Sequence, residues 1–398
     1  MLSEIQRFAL KESQQSLNAD ALVDHARVLW RNASIGANRG RVELYTKASL
    51  RLKATRSVDA KSVTVDRALE SGVAVRTSIT GQPASGFAAS SGLSEDVVRW
   101  AVAVAGRNRA MATVAAPEPS DAIAEERRDL DPDESLPTTG ELIDRLQYQH
   151  EAEWVEAGTT VEVLVGASGW VAARRRHRVW ALTGAPSRQL LAQRGISGWD
   201  RLLGGSVSEA IPHHPNTRSD SGDIVLLPSA AAVVVSALVE TFHGGDSEWV
   251  EPGTAWDVID VPVRSNGLVG GSFDDAGFPT AARVLAKNGV WVGGIRGPGT
   301  FRRVSFREPP RETASNLVMG GSPVNQIRGL IALRCHILRL SSDEWILELD
   351  LADASRKWVR SHPKALLAAC RERMGGAIVT ANGPIVPAMR FEGLVGIR

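Results

Sequence analysis

Residues Ile224 to Asp246 read IVLLPSAAAVVVSALVETFHGGD, an apolar run that passes through Pro228 and ends in Glu240, His243 and two glycines. The run is too short and too rich in Ser and Ala to span a bilayer, so its apolar surface has to be buried in the protein interior. It reads as one apolar helix packed on a layer of strands. Glu240 and His243 stand three apart and share a helix face, a spacing that metal sites use. A hydrolytic metal needs about three protein ligands and a water that a carboxylate can deprotonate, which this pair does not supply. The plainer reading is that His243 and Gly244-Gly245 end the helix, with the histidine near the negative end of its dipole.

Outward from this run, the 398 residues exceed one ordinary core, so two domains are expected. A content of 43% hydrophobic and 23% charged residues excludes a disordered or fibrous chain. The formal net charge of +1 provides no general attraction to nucleic acid or to a membrane surface. Cys335 and Cys370 form no CxxC pair and no disulfide framework, which fits a reducing, cytoplasmic setting. The first residues, MLSEIQRFALKESQQSL, mix charges into an amphipathic pattern and lack the apolar core of a signal peptide.

The expected fold class is α+β. Residues 20–36 repeat at helical spacing, VELYTKASLRLKATRS alternates like a strand, and SGVAVRTSITGQPASGFAASS reads as two further strands about a turn. Ser94 caps a helix whose first turn carries Glu95 and Asp96 and whose apolar face runs through Val97, Val98, Ala101, Val104 and Ala105. Pro117 to Gly140 reads as a loop, residues 140–158 as a helix, and residues 159–187 as a strand pair. The polar stretch PHHPNTRSDSGD marks the boundary. Residues 1–215 are expected to form an N-terminal domain, an antiparallel sheet with packed helices. Residues 216–398 are expected to form a β-rich domain with one apolar helix, its strands in AWDVIDVPV, NGLVGGSF, NGVWVGGI, QIRGLIALRCHILRLS and EWILELDL.

Other groupings carry little chemistry on spacing alone. His150-Glu151 opens like a zincin motif, but Trp154 and Val155 stand where the second histidine would be, so a solvated helix face is expected. His213-His214 lie in the polar linker, and Cys335 and His336 point to opposite faces of a strand. Arg174 to Arg178, RRRHR, could grip nucleic acid or an acidic substrate, but with no aromatic interleaving and a near-neutral chain a charged surface strand is expected. Asp274-Asp275 could hold a ligand, or could serve turn chemistry between strands. GxGxxG and Walker patterns are missing, so no nucleotide site is expected.

Four separated motifs agree with one family. They are Gly72-Val-Ala-Val-Arg76 with Gly86-Phe87-Ala-Ala-Ser and Leu93-Ser94-Glu95; Leu226-Leu-Pro228 with the helix behind it; Ser272-Phe273-Asp274-Asp275 through Gly277-Phe-Pro279-Thr280; and Val386-Pro387-Ala388-Met389-Arg390-Phe391 before Gly393. In order and extent the chain resembles the TldD/PmbA family of metallopeptidases that act on modified peptides. That resemblance implies an HExxxH zinc motif on the helix in TldD-type subunits, with a cysteine near the C-terminus. With His243 as the second histidine, the first ligand and the base fall on Leu238 and Val239, and residues 375–383 contain no cysteine. Ala276 stands where the family usually has Glu.

These departures resemble the TldE-type subunit. They imply a chain with no catalytic residue or metal of its own, in a heterodimer with a zinc-bearing TldD-like partner, acting on unfolded or modified peptides or small peptide conjugates. Glu240, His243, Asp274 and Asp275 are the expected cleft-lining residues. The alternatives are a stand-alone hydrolase built on Glu240 and His243, with Cys370 as a third group, and a peptide-binding protein without catalysis.

Overall fold

The computed structural model describes residues 17–36, 41–57, 62–79, 85–108, 126–148, 152–183, 190–199, 223–242, 257–288, 290–303, 305–320, 330–353, 355–380 and 384–394. The boundary expected at residues 215 and 216 lies outside them, as do His150, Glu151, His213, His214 and His243. The architecture is α+β, with two main sheets.

The first sheet is built from β1 (Arg41–Arg56), β2 (Val63–Ser78), β3 (Ser85–Ser91), β4 (Arg127–Leu130), β5 (Ala152–Val165), β6 (Val171–Thr183) and β7 (Leu190–Arg194). Its order is β3-β2-β1-β5-β6-β4, with β7 also paired to β6. Strand alternation divides its residues between two faces. Val42, Leu44, Ala48, Leu50 and Leu52 of β1 join Val155, Val161, Val163, Val171 and Val179 in one apolar core. Helices α1 (Ala19–Gly36), α2 (Glu95–Asn108) and α3 (Thr139–Tyr148) pack on that face. The start of α3 is a reciprocal cap: Glu141 N donates to the Thr138 hydroxyl at 3.2 Å, and Thr138 N donates to the Glu141 carboxylate at 2.7 Å. Leu142 and Leu146, both 0% exposed, anchor α3 to the core, each contributing about 1.5–3 kcal/mol by burial.

The second sheet contains β8 (Ile224–Leu226), β9 (Val258–Asp260), β10 (Arg283–Lys287), β11 (Val290–Trp291), β14 (Leu317–Met319), β15 (Leu330–Arg339), β16 (Trp345–Leu351), β17 (Arg356–Ser361), β18 (Cys370–Val379) and β19 (Ile385–Phe391), while β12 (Phe301–Arg302) and β13 (Arg311–Glu312) form a small separate ribbon. Helix α4 (Pro228–Phe242) lies on β8, β15 and β19, and a shorter helix, α5 (Pro363–Ala369), leads into β18. Ala230, Ala231, Val234, Val235, Leu238, Val239 and Phe242 of α4 are all buried in this sheet's own core.

Several expectations need correction. The apolar run is a strand before it is a helix: Ile224–Leu226 pairs in parallel with β15 and antiparallel with β19, and the helix starts at Pro228, whose missing N–H costs nothing at a first helical position. The Pro117 to Gly140 stretch contains β4, which pairs in parallel with β6, so the first sheet is not purely antiparallel. The helix expected over 140–158 stops at Tyr148, and Ala152–Val165 is a strand. Alternation explains the change, because Val155 and Ala157 are fully buried while Trp154 and Glu156 face the other way and are only half-buried. In NGLVGGSF only an isolated bridge between Phe273 and Pro279 forms, and NGVWVGGI yields the two-residue β11. Among the described residues no helix is long and apolar enough to cross a membrane.

Candidate functional site

The second face of the first sheet is where charge accumulates. Register places Lys47 beside Glu162 and Glu162 beside Arg174, then Ser49 beside Thr160 and Thr160 beside Arg176, then Arg51 beside Gly158 and Gly158 beside Arg178. Lys47 Nζ is 3.8 Å from Glu162, Ser49 Oγ is 2.9 Å from Thr160 Oγ1, and Arg51 lies 3.7 Å from Glu156. The segment between β9 and β14 comes over one end of this face. Phe273 packs there with Tyr45, Ala74, Leu164, Trp170 and Ala172.

The arginines of β6 hold that segment in place. Arg174 donates to Asp275 Oδ1 at 2.9 Å and to the Phe273 carbonyl at 2.6 Å. Arg176 donates to Asp129 Oδ2 at 2.5 Å and to the Gly270 carbonyl at 3.2 Å, while Ser272 N donates to the same Asp129 oxygen at 2.8 Å. Arg194 of β7 makes a forked contact with Asp131, at 2.9 and 2.5 Å, and donates to the Arg264 carbonyl at 3.0 Å. Gly271 makes the approach possible, since a Cβ there would lie 2.1 Å from Asp129 Oδ2. Charged donors on backbone carbonyls are among the stronger hydrogen bonds, and removing one partner leaves a buried charge uncompensated.

Arg174 and Arg176 are 6% and 3% exposed and His177 is fully buried, so RRRHR is not the surface strand its composition implies. The physical reason is that the carboxylates neutralising it come from distant parts of the chain. Burial opposes the charge of Arg174, but Asp275 and Glu162 overcome it and hold the guanidinium above its ordinary value. Burial likewise opposes the Glu162 carboxylate, yet Lys47, Arg174 and the Tyr45 hydroxyl bring it down to about 2. Burial lifts Tyr45 well above its ordinary value. His177 bonds Thr159 through Nδ1 at 2.8 Å, and burial lowers its pKa.

The expected site residues fall in different places. Asp274 is 0% exposed and accepts N–H bonds from Ala276, Phe278, Gly299 and Phe301, so it organises the loop from within. Burial lifts its pKa against the pull of those donors. Asp275 is 8% exposed and takes Arg174 and the Arg303 N–H, which places it at the buried end of the polar face. Glu240 is at the surface, 2.8 Å from Arg339 on β15. Leu238 and Val239 line a cavity of about 10 Å³ together with Cys370, Leu366 and Phe391, an apolar setting. Burial pushes the thiols of Cys335 and Cys370 up to about 12. Among the described residues no three His, Cys, Asp or Glu side chains gather as a metal site would require.

Sequence reading placed Arg174 and Arg176 on the surface and missed Arg194, Glu162, Asp129 and Asp131. One signal was available: arginines at 174, 176 and 178 recur at period two, as do the acids at 156 and 162 on the preceding strand, so both sets fall on one face.

The geometry has counterparts among solved structures. The structure of TldE from Thermococcus kodakarensis superposes with a TM-score of 0.65 at 13% identity, covering 92% of this chain and 99% of that one. The chain has the TldE fold. Two proposed modulators of DNA gyrase share it: one from Thermotoga maritima, with a TM-score of 0.60 at 12% identity over 93% of this chain and 99% of its own, and one from Bacteroides thetaiotaomicron, with 0.59 at 12% over 94% and 98%. No protein-family model and no curated protein matches the sequence. At this identity the TldE likeness establishes the fold, and function has to be argued from this chain's own residues.

Proposed function

We propose that the chain is a TldE-like member of the TldD/PmbA family, the non-catalytic subunit of a heterodimeric zinc metallopeptidase acting on unfolded or modified peptides or peptide-like conjugates. The observation that carries this reading is the combination of a TldE fold over nearly the whole chain with an apolar helix interior at Leu238 and Val239, which are 3% and 2% exposed. These side chains do not fit a zinc site, because they offer no donor atom and face a packed core. Glu240 points away from that core and is held by Arg339. Zinc and the water-activating carboxylate therefore belong to the partner in this reading.

The role left to this chain is to shape the shared cleft and to stabilise the assembly. The polar face of the first sheet supports that role, since its paired charges present a fixed, half-buried wall whose position is set by the β6 arginines. The stand-alone hydrolase reading has less support, because Glu240 is engaged by Arg339 at the surface and, among the described residues, no group of metal-ligating side chains gathers around it. Co-expression with a TldD-like protein tests the proposal: the two chains are expected to co-purify in equal amounts, with zinc assigned to the partner. Independent elution of the two chains would sink it.

A further inference from the structure

On the polar face one buried arginine donor is left without a hydrogen-bond partner. Lys47, Arg174, Arg176, Arg178 and Arg194 are five cations on neighbouring strands. The four carboxylates among them are already engaged: Glu162 by Lys47 and Arg174, Asp275 by Arg174, Asp129 by Arg176, and Asp131 by Arg176 and Arg194. Among the described residues Arg178 alone of the five has no ion pair, and its Nε is buried without a hydrogen-bond partner. A half-buried guanidinium with an unmet donor costs free energy unless an anion meets it. Burial pulls its pKa below the ordinary value; Glu162 and Asp131 oppose that shift without forming an ion pair with Arg178, and Arg174 and Arg194 add to it.

The surroundings of Arg178 define what such an anion would carry. Its cross-strand neighbour on β5 is Gly158, which contributes no side chain to the row. The Arg51 stem and the Trp180 ring converge over Gly158, at 3.1 and 3.3 Å from where a Cβ would stand. One row away, the Ser49 and Thr160 hydroxyls bond to each other at 2.9 Å. An arginine fork matches a planar carboxylate, the indole beside it offers apolar contact to a short side chain, and the hydroxyls can bond an amide.

We propose that Arg178 anchors a carboxylate of a peptide-like ligand on this face, with Trp180 against the adjoining residue. The site deepens the proposed role and rests on it for its purpose, since it would hold an acidic or C-terminal group of a substrate lying in the shared cleft.

The test uses the full chain alone and two probes, N-acetyl-dialanine with a free carboxylate and its C-terminal amide, titrated by calorimetry and by the Arg178 Nε–Hε NMR signal. The free acid is expected to bind and shift that signal, the amide to bind at least tenfold more weakly, and Arg178→Gln to lose the preference. Inorganic phosphate is titrated alongside. Binding of phosphate without binding of the free acid overturns the carboxylate assignment, as does equal binding of acid and amide. Because the guanidinium lacks a partner in the free chain, Arg178→Met is expected to melt at the same or a higher temperature than the parent. A markedly lower melting temperature overturns the proposal, since it would mean that Arg178 is already paired. Pairing with a TldD-like subunit is read separately by co-purification, so either result can fail without the other.

Discussion

Arg174 of β6 and Asp275 of the segment between β9 and β14 form a buried ion pair at 2.9 Å, with side chains 7% and 9% exposed, across 101 residues of sequence. It joins the charged face of the first sheet to the segment that the second sheet carries, and much of the site's geometry depends on it. Breaking a buried pair from one side leaves a desolvated charge, which typically costs about 3–5 kcal/mol. Asp275→Ala is therefore expected to lower unfolding free energy by about that much, measured by chemical denaturation. The double variant Arg174→Met/Asp275→Ala should lose less than the sum of the single changes. Additive losses would mean that the two groups do not interact.

Gly271 tests the same clasp through space alone. A methyl group there meets the Asp129 carboxylate and lies 2.7 Å from Arg176 Nη2, so Gly271→Ala should displace the contacts that bind Gly270 and Ser272 to β4 and β6. Overpacking of this sort costs roughly 1–3 kcal/mol. A thermal melt reads the loss, and an unchanged melting temperature would place Gly271 away from Asp129.

Acid sensitivity follows from two buried groups. Glu162 titrates at about 2 in the folded chain against an ordinary 4.5, so between these values the unfolded state binds more protons than the folded one. Its stabilisation is complete above pH 4.5 and is lost as pH falls toward 2, and at one-fifth exposure about 3 kcal/mol is its upper bound. His177 has the same sign, because burial lowers its value from 6.5, so its contribution is present above that pH and declines as pH falls through the folded-state value. Glu162→Gln should flatten the stability profile below pH 4.5 and leave the slope just below pH 6.5 in place. A parent protein equally stable at pH 7 and pH 3 would contradict both assignments.

The HExxxH motif implied by the TldD resemblance supplies a fourth test. Leu238→His with Val239→Glu supplies the residue types that motif calls for, but at 3% and 2% exposure both would enter the apolar core around Cys370 and Phe391. The double variant should lose at least about 3 kcal/mol from lost packing and unmet polar atoms, and gain no zinc by metal analysis. Stoichiometric zinc at native stability would show that this helix face is open to a metal site.

Much of the fold is legible in the sequence because period and capping are local properties. The alternation in ELYTKASLRLKA marks β1, and Ser94 with Glu95 and Asp96 marks the start of α2. The short strands of the second sheet are less legible: β9 and β14 owe their pairing to distant neighbours, and β11, a hairpin partner of β10, leaves little pattern in two residues. The buried arginines are the clearest loss. RRRHR looks solvated in isolation, and only Asp129 of β4, Asp131 just beyond it, Glu162 of β5 and Asp275 of the segment between β9 and β14 make its burial tolerable. Glu240 stands at a spacing from His243 that metal sites use, and its side chain makes a surface contact with Arg339 that spacing alone does not reveal.

Reconstitution of peptide cleavage with and without this chain measures the central claim most directly. A zinc-loaded TldD-like protein, this chain and the equimolar mixture are each assayed on an unfolded peptide, with zinc counted in every fraction. The expected result is cleavage by the mixture only, with one zinc per pair carried by the TldD-like protein. Cleavage by this chain alone, or cleavage by the TldD-like protein that does not change when this chain is added, would contradict the account.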